Sequence, residues 1–131
     1  MSKIDYIEAH DACLDRMSIL PGSVLRMDFN HICVFIANSP TSDDVWSYSA
    51  CLRIEGLHHL ECSGELTEED ACLDSATWEG GKNDLRVFQE QTQVTWFEFV
   101  FCSGTVMKVQ CKSAVLENLA PIEIFEAWPR P

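Results

Sequence analysis

The sequence predicts a mainly β protein of the α+β class, built as an antiparallel sheet or a β-sandwich with an N-terminal helix packed on it. Three observations support this prediction: polar and apolar residues alternate over several segments, one N-terminal segment has helical spacing instead, and turn-forming residues separate the segments. The chain has 131 residues, of which 47% are hydrophobic, the size and composition of one globular domain. We therefore expect residues 1–131 to form a single domain.

The N-terminal segment from residue 4 to residue 19 has the spacing of an amphipathic helix. Charged residues separate its larger apolar residues, which do not alternate along the segment. Pro21 and Gly22 then favour an end to the helix. The apolar residues expected to pack this helix against the sheet are Ile4, Ile7, Leu14 and Met17.

The next segments alternate with the period of β-strands. Apolar residues occupy every second position from 25 to 29, and Asn30-His31 is a plausible two-residue turn into a strand over 32–37. The clearest alternation runs from Trp46 to Ile54. Gly56 follows it and indicates a bulge or a bend before residues 57–62.

Residues 95–101 and 105–111 predict a β-hairpin. A two-residue turn would mix polar and apolar partners across both faces of this hairpin. A three-residue loop with Gly104 in the left-handed conformation instead pairs Phe99 with Met107, Phe97 with Val109 and Glu98 with Lys108. We predict this second register. It leaves the Trp96 and Val100 side chains on the other face of the hairpin, where either another part of the chain covers them or a partner contacts them.

Charge excludes two classes of partner. The chain has 9 Lys and Arg against 21 Asp and Glu, a net charge of −12, so we expect neither nucleic acid nor an anionic membrane as a ligand. No apolar run has the roughly 20 residues that a membrane helix needs, and residues 1–10 lack the apolar core of a signal peptide.

The acidic residues are concentrated between positions 61 and 84, where eight acids accompany one base, Lys82. Thr67 followed by three acids has the form of a capped helix start, which predicts a short helix through Leu73. We expect residues 80–84 to form a loop.

This segment supplies the predicted site for a basic protein partner, because a concentrated negative patch steers basic partners. The alternative is a charged surface that only aids solubility. Trp78 would anchor the partner from beside the acids, or it would fold down over the sheet. The predicted partner-binding residues are Glu65, Glu68, Glu69, Asp70, Asp74 and Trp78.

The seven cysteines form no C-x-x-C motif and no repeated spacing. An odd count without a pattern argues against a disulfide framework and against a zinc site. Several cysteines lie in strand-like segments, where a thiol acts as a small hydrophobic group. We therefore expect reduced cysteines and a cytoplasmic protein.

The sequence offers little for catalysis or metal binding. His58, His59 and Cys62, beside Glu61, are candidate metal ligands, but adjacent histidines on a strand point to opposite faces. Cys102, in the hairpin loop, is the candidate reactive thiol, with no neighbour in sequence that would lower its pKa. Since none of the common catalytic or nucleotide-binding motifs occurs, we predict no enzyme, no metal and no cofactor.

Two stretches of strand-turn-strand sequence, residues 52–57 and 96–107, followed by residues 112–116, resemble small, acidic, β-rich bacterial proteins. Some of these are immunity proteins for polymorphic or contact-dependent toxins. The resemblance covers residues 23–116 and rests on structural motifs, so it transfers no functional residue. It implies an inhibitor that binds a toxin tightly, in some cases by covering a basic catalytic cleft with acidic side chains.

The resulting functional prediction is a non-catalytic binding protein, most concretely one that neutralises a toxin through its acidic surface. One alternative is a structural module that forms a homodimer or larger oligomer through Trp96 and Val100. The other is an enzyme that lacks a recognisable motif.

Overall fold

The structure is a computed structural model that describes residues 3–39, 42–64, 71–89 and 94–129. In these ranges the chain forms β-strands and one short 3-10 helix, Leu85–Phe88. The strands are β1 (Ile4–Leu20), β2 (Val24–Ser39), β3 (Ser42–Glu55), β4 (His59–Ser63), β5 (Leu73–Trp78), β6 (Gly81–Lys82), β7 (Trp96–Phe101), β8 (Val106–Gln110) and β9 (Ser113–Pro129). No helix in the described ranges is long and apolar enough to cross a membrane.

The strands form two antiparallel sheets, which confirms the mainly β prediction. The first has the order β1-β2-β3-β9, and the second has the order β4-β8-β7-β5-β6. One cluster of buried apolar residues contains side chains from both sheets, as the core of a β-sandwich does. The largest side chains of this core include Phe88, Phe97, Phe99, Phe101, Ile7, Leu25, Met27 and Leu52.

The chain passes between the two sheets twice at one corner, from β3 to β4 and from β8 to β9. β3 pairs with β9 on one side of the bend, and β4, which follows β3, pairs with β8 on the other. Gly56 has a φ of +61° there, and the amide of Lys112 donates to the carbonyls of Glu55 at 3.0 Å and Gly56 at 3.1 Å. The bend predicted at Gly56 is confirmed.

A second seam joins β1 to the chain segment 71–84. The amide of Ala9 donates to the carbonyl of Asn83 at 2.8 Å, and the amide of Leu14 donates to that of Ala71 at 2.9 Å. Between these bonds, Cys13 and Cys72 form a disulfide. β1 therefore makes hydrogen bonds to β2 on one side and to the second sheet's strand segment on the other.

The β7–β8 hairpin has the predicted register. Phe97 lies opposite Val109, Phe99 opposite Met107, and Glu98 opposite Lys108. Gly104 has a φ of +88°, the left-handed conformation that a three-residue loop requires. This register places the Phe, Met and Val side chains of the two strands in the core.

The predicted N-terminal helix is wrong: the same residues form β1. Ile7 and Ala9 are two positions apart and both buried, as on one face of a strand. The next buried residue, Ala12, is three positions further on, so the buried positions change from odd to even numbers. Between them Asp11 has a φ of +66°, and the pairing with β2 shifts register between Glu8 and Cys13. Such a bulge inserts extra residues into the alternation, so the apolar spacing imitates that of a helix.

The predicted turn at Asn30-His31 is also a bulge. β2 continues through these residues, and its pairing with β3 shifts register between Phe29 and Ile32. Odd positions are buried from 25 to 29, and even positions are buried from 32 to 36. The change of phase at residues 30–31 looked like the end of a strand because a bulge and a tight turn both interrupt the alternation.

The segment 71–84 is more extended than predicted. The start of the expected short helix, residues 67–70, lies outside the described residues. Its expected end does not exist, since Cys72 bridges to Cys13 and Leu73 begins β5 opposite Phe101. The expected loop contains β6, and Asp84 forms a bridge with Glu8. Pairing with β1 and β7 outweighs the local helix signals here.

The expectation that all cysteines are reduced is wrong for Cys13 and Cys72, which form the disulfide across the β1 seam. These two residues are 59 positions apart in the chain, so their spacing contains no recognisable motif. Cys33, Cys51 and Cys111 remain thiols. The disulfide removes the argument from cysteine usage on which the cytoplasmic location depended.

Candidate functional site

The structure describes two of the six predicted partner-binding residues. Asp74 is exposed on β5, whereas Trp78 is buried. The other four, Glu65, Glu68, Glu69 and Asp70, lie outside the described residues. Asp74 is therefore the residue from which the surroundings of the predicted site are described.

Strand β1 brings two further acids to Asp74. Nδ1 of His10 lies 3.1 Å from the carbonyl oxygen of Asp74 and 3.7 Å from its carboxylate. Nε2 of the same ring lies 3.5 Å from the carboxylate of Asp11, and Glu8 lies two residues before His10 on β1. We call Glu8, Asp11 and Asp74, grouped around His10, the β1–β5 acidic surface.

Backbone hydrogen bonds at Asn83 hold this surface together. Asn83 has a φ of +64°, its amide donates to the carbonyl of Ala76 at 2.9 Å, and its side-chain oxygen accepts from the amide of Ala76 at 3.1 Å. Its own carbonyl accepts from the amide of Ala9. One residue thus joins β5 to β1 and sets the separation of their side chains.

Two groups of the surface have shifted pKa values. The hydrogen bond to the carbonyl of Asp74 raises the pKa of His10, and the carboxylates of Asp11, Glu8 and Asp74 raise it further. Partial burial raises the pKa of Glu8, with a smaller contribution from Asp11. Protonation of His10 therefore adds positive charge to the centre of the surface at a higher pH than in an unfolded chain.

Three of the eight lysines and arginines in the described residues form ion pairs away from this surface. Three arginines pair with acids two positions away, Arg26 with Asp28, Arg53 with Glu55, and Arg86 with Asp84. Within the described residues, Asp11 and Asp74 form ion pairs with His10 and with no Lys or Arg. The negative charge of the β1–β5 acidic surface is consequently uncompensated when His10 is neutral.

Trp78 is not exposed at this surface, so it cannot anchor a partner there. Its side chain is 6% exposed, and its ring meets Phe88 edge to face with a centroid separation of 5.4 Å. A Cβ at Gly81 would lie 2.7 Å from the indole nitrogen, which shows how closely the turn covers the ring. The alternative interpretation, a tryptophan folded down over the sheet, is the one that the structure shows.

Sequence reasoning missed the contribution of β1. The predicted N-terminal helix contains Glu8 and Asp11 among the charged residues that separate its apolar ones. Only the pairing of β1 with segment 71–84 brings them beside Asp74, and that pairing joins residues 57 to 76 positions apart in the chain. The acidic composition of the β1 segment was the one available signal.

The outer face of the second sheet carries Trp96 and Val100, the residues of the oligomer hypothesis. Trp96 lies in a cross-strand row with Gln110 and His59, and Val100 lies in a row with Val106. A row of charged residues separates these two rows: Glu61, Lys108 and Glu98. The face is therefore divided, and it is not a continuous apolar patch.

A groove of about 590 Å³ lies at the corner where β3–β4 and β8–β9 bend. Its lining comprises His58, Thr95, Trp96, Gln110, Cys111 and Lys112. Burial raises the pKa of Cys111 to about 11, so this group is a neutral thiol at neutral pH, and it donates to the carbonyl of Val94 at 3.5 Å. Gly56 marked the bend in the sequence, but no local motif marked the groove.

The remaining candidates from the sequence do not converge. In the described ranges, no three His, Cys, Asp or Glu side chains are grouped as metal ligands would be. His58 lines the groove, whereas His59 pairs with Glu61 at 3.5 Å on the outer face of β4. Cys102 is exposed in the turn between β7 and β8.

Comparisons with protein-family models, with curated proteins and with solved structures found no match to this chain.

Proposed function

We propose that this protein is a non-catalytic binding module that recognises a basic protein partner through the β1–β5 acidic surface. The observation that supports this proposal is the meeting of Asp11 and Asp74, from strands distant in sequence, without a Lys or Arg ion pair in the described residues. We extend the proposed interface to Glu65, Glu68, Glu69 and Asp70, which precede Asp74 in the chain and add four negative charges.

The partner class that we propose is a toxin domain, which the protein neutralises as an immunity protein. A net charge of −12 accelerates the encounter with a basic partner, and a rigid sheet presents the carboxylates without a large ordering cost. The acidic side chains then cover the basic catalytic cleft of the toxin. We further propose that this interaction takes place in the cytoplasm, where an immunity protein would protect its own cell.

The two alternatives receive less support. Oligomer formation through Trp96 and Val100 would bury the charged row between them, and burying charges is unfavourable unless they are paired. The groove contains a thiol with a raised pKa, whereas a nucleophilic cysteine needs a lowered one.

Binding to the protein encoded by the neighbouring reading frame tests the proposal. We expect titration calorimetry to show binding that weakens at least tenfold between about 50 and 300 mM NaCl, because exposed charges are screened. Asp11→Asn combined with Asp74→Asn should weaken binding about tenfold or more, since it removes charge at the centre of the interface.

The matched control for this experiment is Glu123→Gln, which removes an exposed carboxylate on β9. Because it removes one charge outside the proposed interface, we expect it to change the affinity less than twofold. An equal effect of the control and the double variant would show that only net charge matters. Absence of binding to a toxin domain encoded in that frame would reject the immunity function.

A further inference from the structure

The groove at the bent corner is built by three parts of the chain. The amide of His58 donates to the carbonyl of Gln110 at 2.8 Å, and the amide of Cys111 donates to the carbonyl of Thr95 at 2.8 Å. These bonds fix the backbones of β4, β8 and the start of β7 around one opening. Strand pairing therefore fixes the backbone that surrounds the groove.

Gly56 allows Lys112 to cross the bend. A Cβ at Gly56 would lie 2.6 Å from Cγ of Lys112 and 2.7 Å from its Cβ, so the aliphatic part of the lysine packs on the glycine. Within the described residues Lys112 forms no ion pair. Lys112 thus contributes a cation without an ion-pair partner in the described residues to the lining of the groove.

The lining of the groove also contains an aromatic residue, Trp96. The Trp96 side chain is 39% exposed, although an indole of this size is usually largely buried. Trp96 lies directly opposite Gln110 on β8, whose amide can donate hydrogen bonds. An aromatic face, a cation and polar donors therefore share one opening.

The charge of the lining favours an anion. Among the described residues no carboxylate lines the groove, although 21 acids occur in the chain. The acids nearest in sequence to the lining have other neighbours: Glu98 lies opposite Lys108 in the adjacent cross-strand row, Glu55 pairs with Arg53 at 2.8 Å, and Glu61 pairs with His59 at 3.5 Å. Among the described lining residues, Lys112 is thus the one with a permanent charge, on a strongly acidic protein.

We propose that this groove binds a small aromatic carboxylate. The ring of the ligand stacks on Trp96, its carboxylate pairs with the ammonium group of Lys112, and the Gln110 amide and the His58 imidazole donate hydrogen bonds. The volume of about 590 Å³ lies within the range of small-molecule sites. This site is separate from the β1–β5 acidic surface, so neither proposal depends on the other.

Titration with 2-naphthoate tests this inference on the full chain. We expect a saturable shift of the Trp96 indole resonance in ¹H–¹⁵N spectra, with a Kd of about 1 mM or tighter for a ligand of this size. The neutral isostere 2-naphthamide, and acetate without a ring, should each bind at least fivefold more weakly. Equal binding of naphthoate and naphthamide, or no saturable shift, would overturn the proposal.

Variants locate the site. Lys112→Gln should weaken naphthoate binding at least fivefold. Trp96→Leu identifies the indole resonance by its disappearance, and in this variant the saturable shifts of the backbone amides should also be lost. The control is Lys108→Gln, which removes an exposed lysine from the same sheet, outside the groove, and should change the Kd less than twofold. Thermal unfolding checks that each variant is folded. An unchanged Kd for Lys112→Gln, or an equal loss for Lys108→Gln, would contradict the assignment.

Discussion

Glu8 shows how a single residue connects the fold to the acidic surface. It lies partly buried on β1, where its backbone forms an isolated bridge with Asp84, and burial raises the pKa of its carboxyl. The folded state therefore holds this proton to a higher pH than the unfolded chain does. Ionised Glu8 lowers the free energy of unfolding, fully so above its raised pKa and not at all below its ordinary one.

Glu8→Gln should stabilise the protein at neutral pH because it removes this unfavourable ionisation. We expect an increase of about 0.5 kcal/mol in the free energy of unfolding at pH 7, measured by urea denaturation, since the group is only partly buried. The increase should disappear as the pH falls below the ordinary glutamate pKa. Glu123→Gln, which removes an exposed carboxylate of β9, is the control. A destabilised Glu8→Gln protein would show that the carboxylate makes a favourable native contact.

The sequence predicts the role of a single residue when that role depends only on its neighbours in the chain. Gly56 and Gly104 were identified from the sequence because a bend and a three-residue loop each need backbone angles that glycine adopts easily, and both have positive φ. Trp78 was open between two interpretations, because a lone tryptophan beside acids has no local feature that decides its exposure. Its contact with Phe88 decided it.

At the level of elements, β1 is the strand that sequence periodicity misassigned. Its buried positions, residues 7, 9 and 12, combine two strand phases separated by the bulge at Asp11. A helix over the same residues would bury Ile7 and Met17 together, as the sequence predicted. In the strand, Ile7 is fully buried and Met17 is 38% exposed.

Alanine substitutions at these two positions distinguish the strand from the helix. Ile7→Ala should lower the free energy of unfolding by about 2–4 kcal/mol, because it removes buried methyl groups and leaves a cavity. Met17→Ala should lower it by less than about 1 kcal/mol, since this side chain is already partly in water. Urea denaturation monitored by circular dichroism measures both. Equal losses would support a helix that buries both residues.

The β7–β8 hairpin was predictable in register because its information is local. The loop residues, the alternation of both strands and the Glu98–Lys108 pair all favour one alignment, and the structure has that alignment. No neighbouring residues in the sequence indicate the bulges in β1 and β2 in this way. The positions that are buried before and after each bulge depend on how the strand pairs with other strands, and the sequence of the strand alone does not contain that information.

At the scale of the whole molecule, the disulfide between Cys13 and Cys72 connects the two sheets. It closes a loop of 59 positions at the seam where β1 meets segment 71–84, two residues from Asp74 on one side and from Asp11 on the other. The bond therefore holds the two halves of the β1–β5 acidic surface together in the unfolded chain as well.

Reduction of this disulfide should lower the stability of the protein. Chain-entropy arguments give a loss of up to about 4 kcal/mol for a loop of this length. We expect dithiothreitol to lower the urea midpoint, and the double variant Cys13→Ser with Cys72→Ser to lower it by a similar amount. The double variant should then be insensitive to dithiothreitol, which separates this bond from the other cysteines. A midpoint unaffected by reduction would contradict a stabilising role.

The sequence by itself determined the antiparallel β class, the corner at Gly56, the hairpin register and the strong negative charge. Only the tertiary structure decided that the N-terminal segment is a strand, that Cys13 meets Cys72, that Asp11 joins Asp74, and that a groove opens beside Trp96. The difference has one physical reason. Alternation, turns and charge are properties of neighbouring residues, whereas these four features depend on strand pairing between segments that are far apart in the chain.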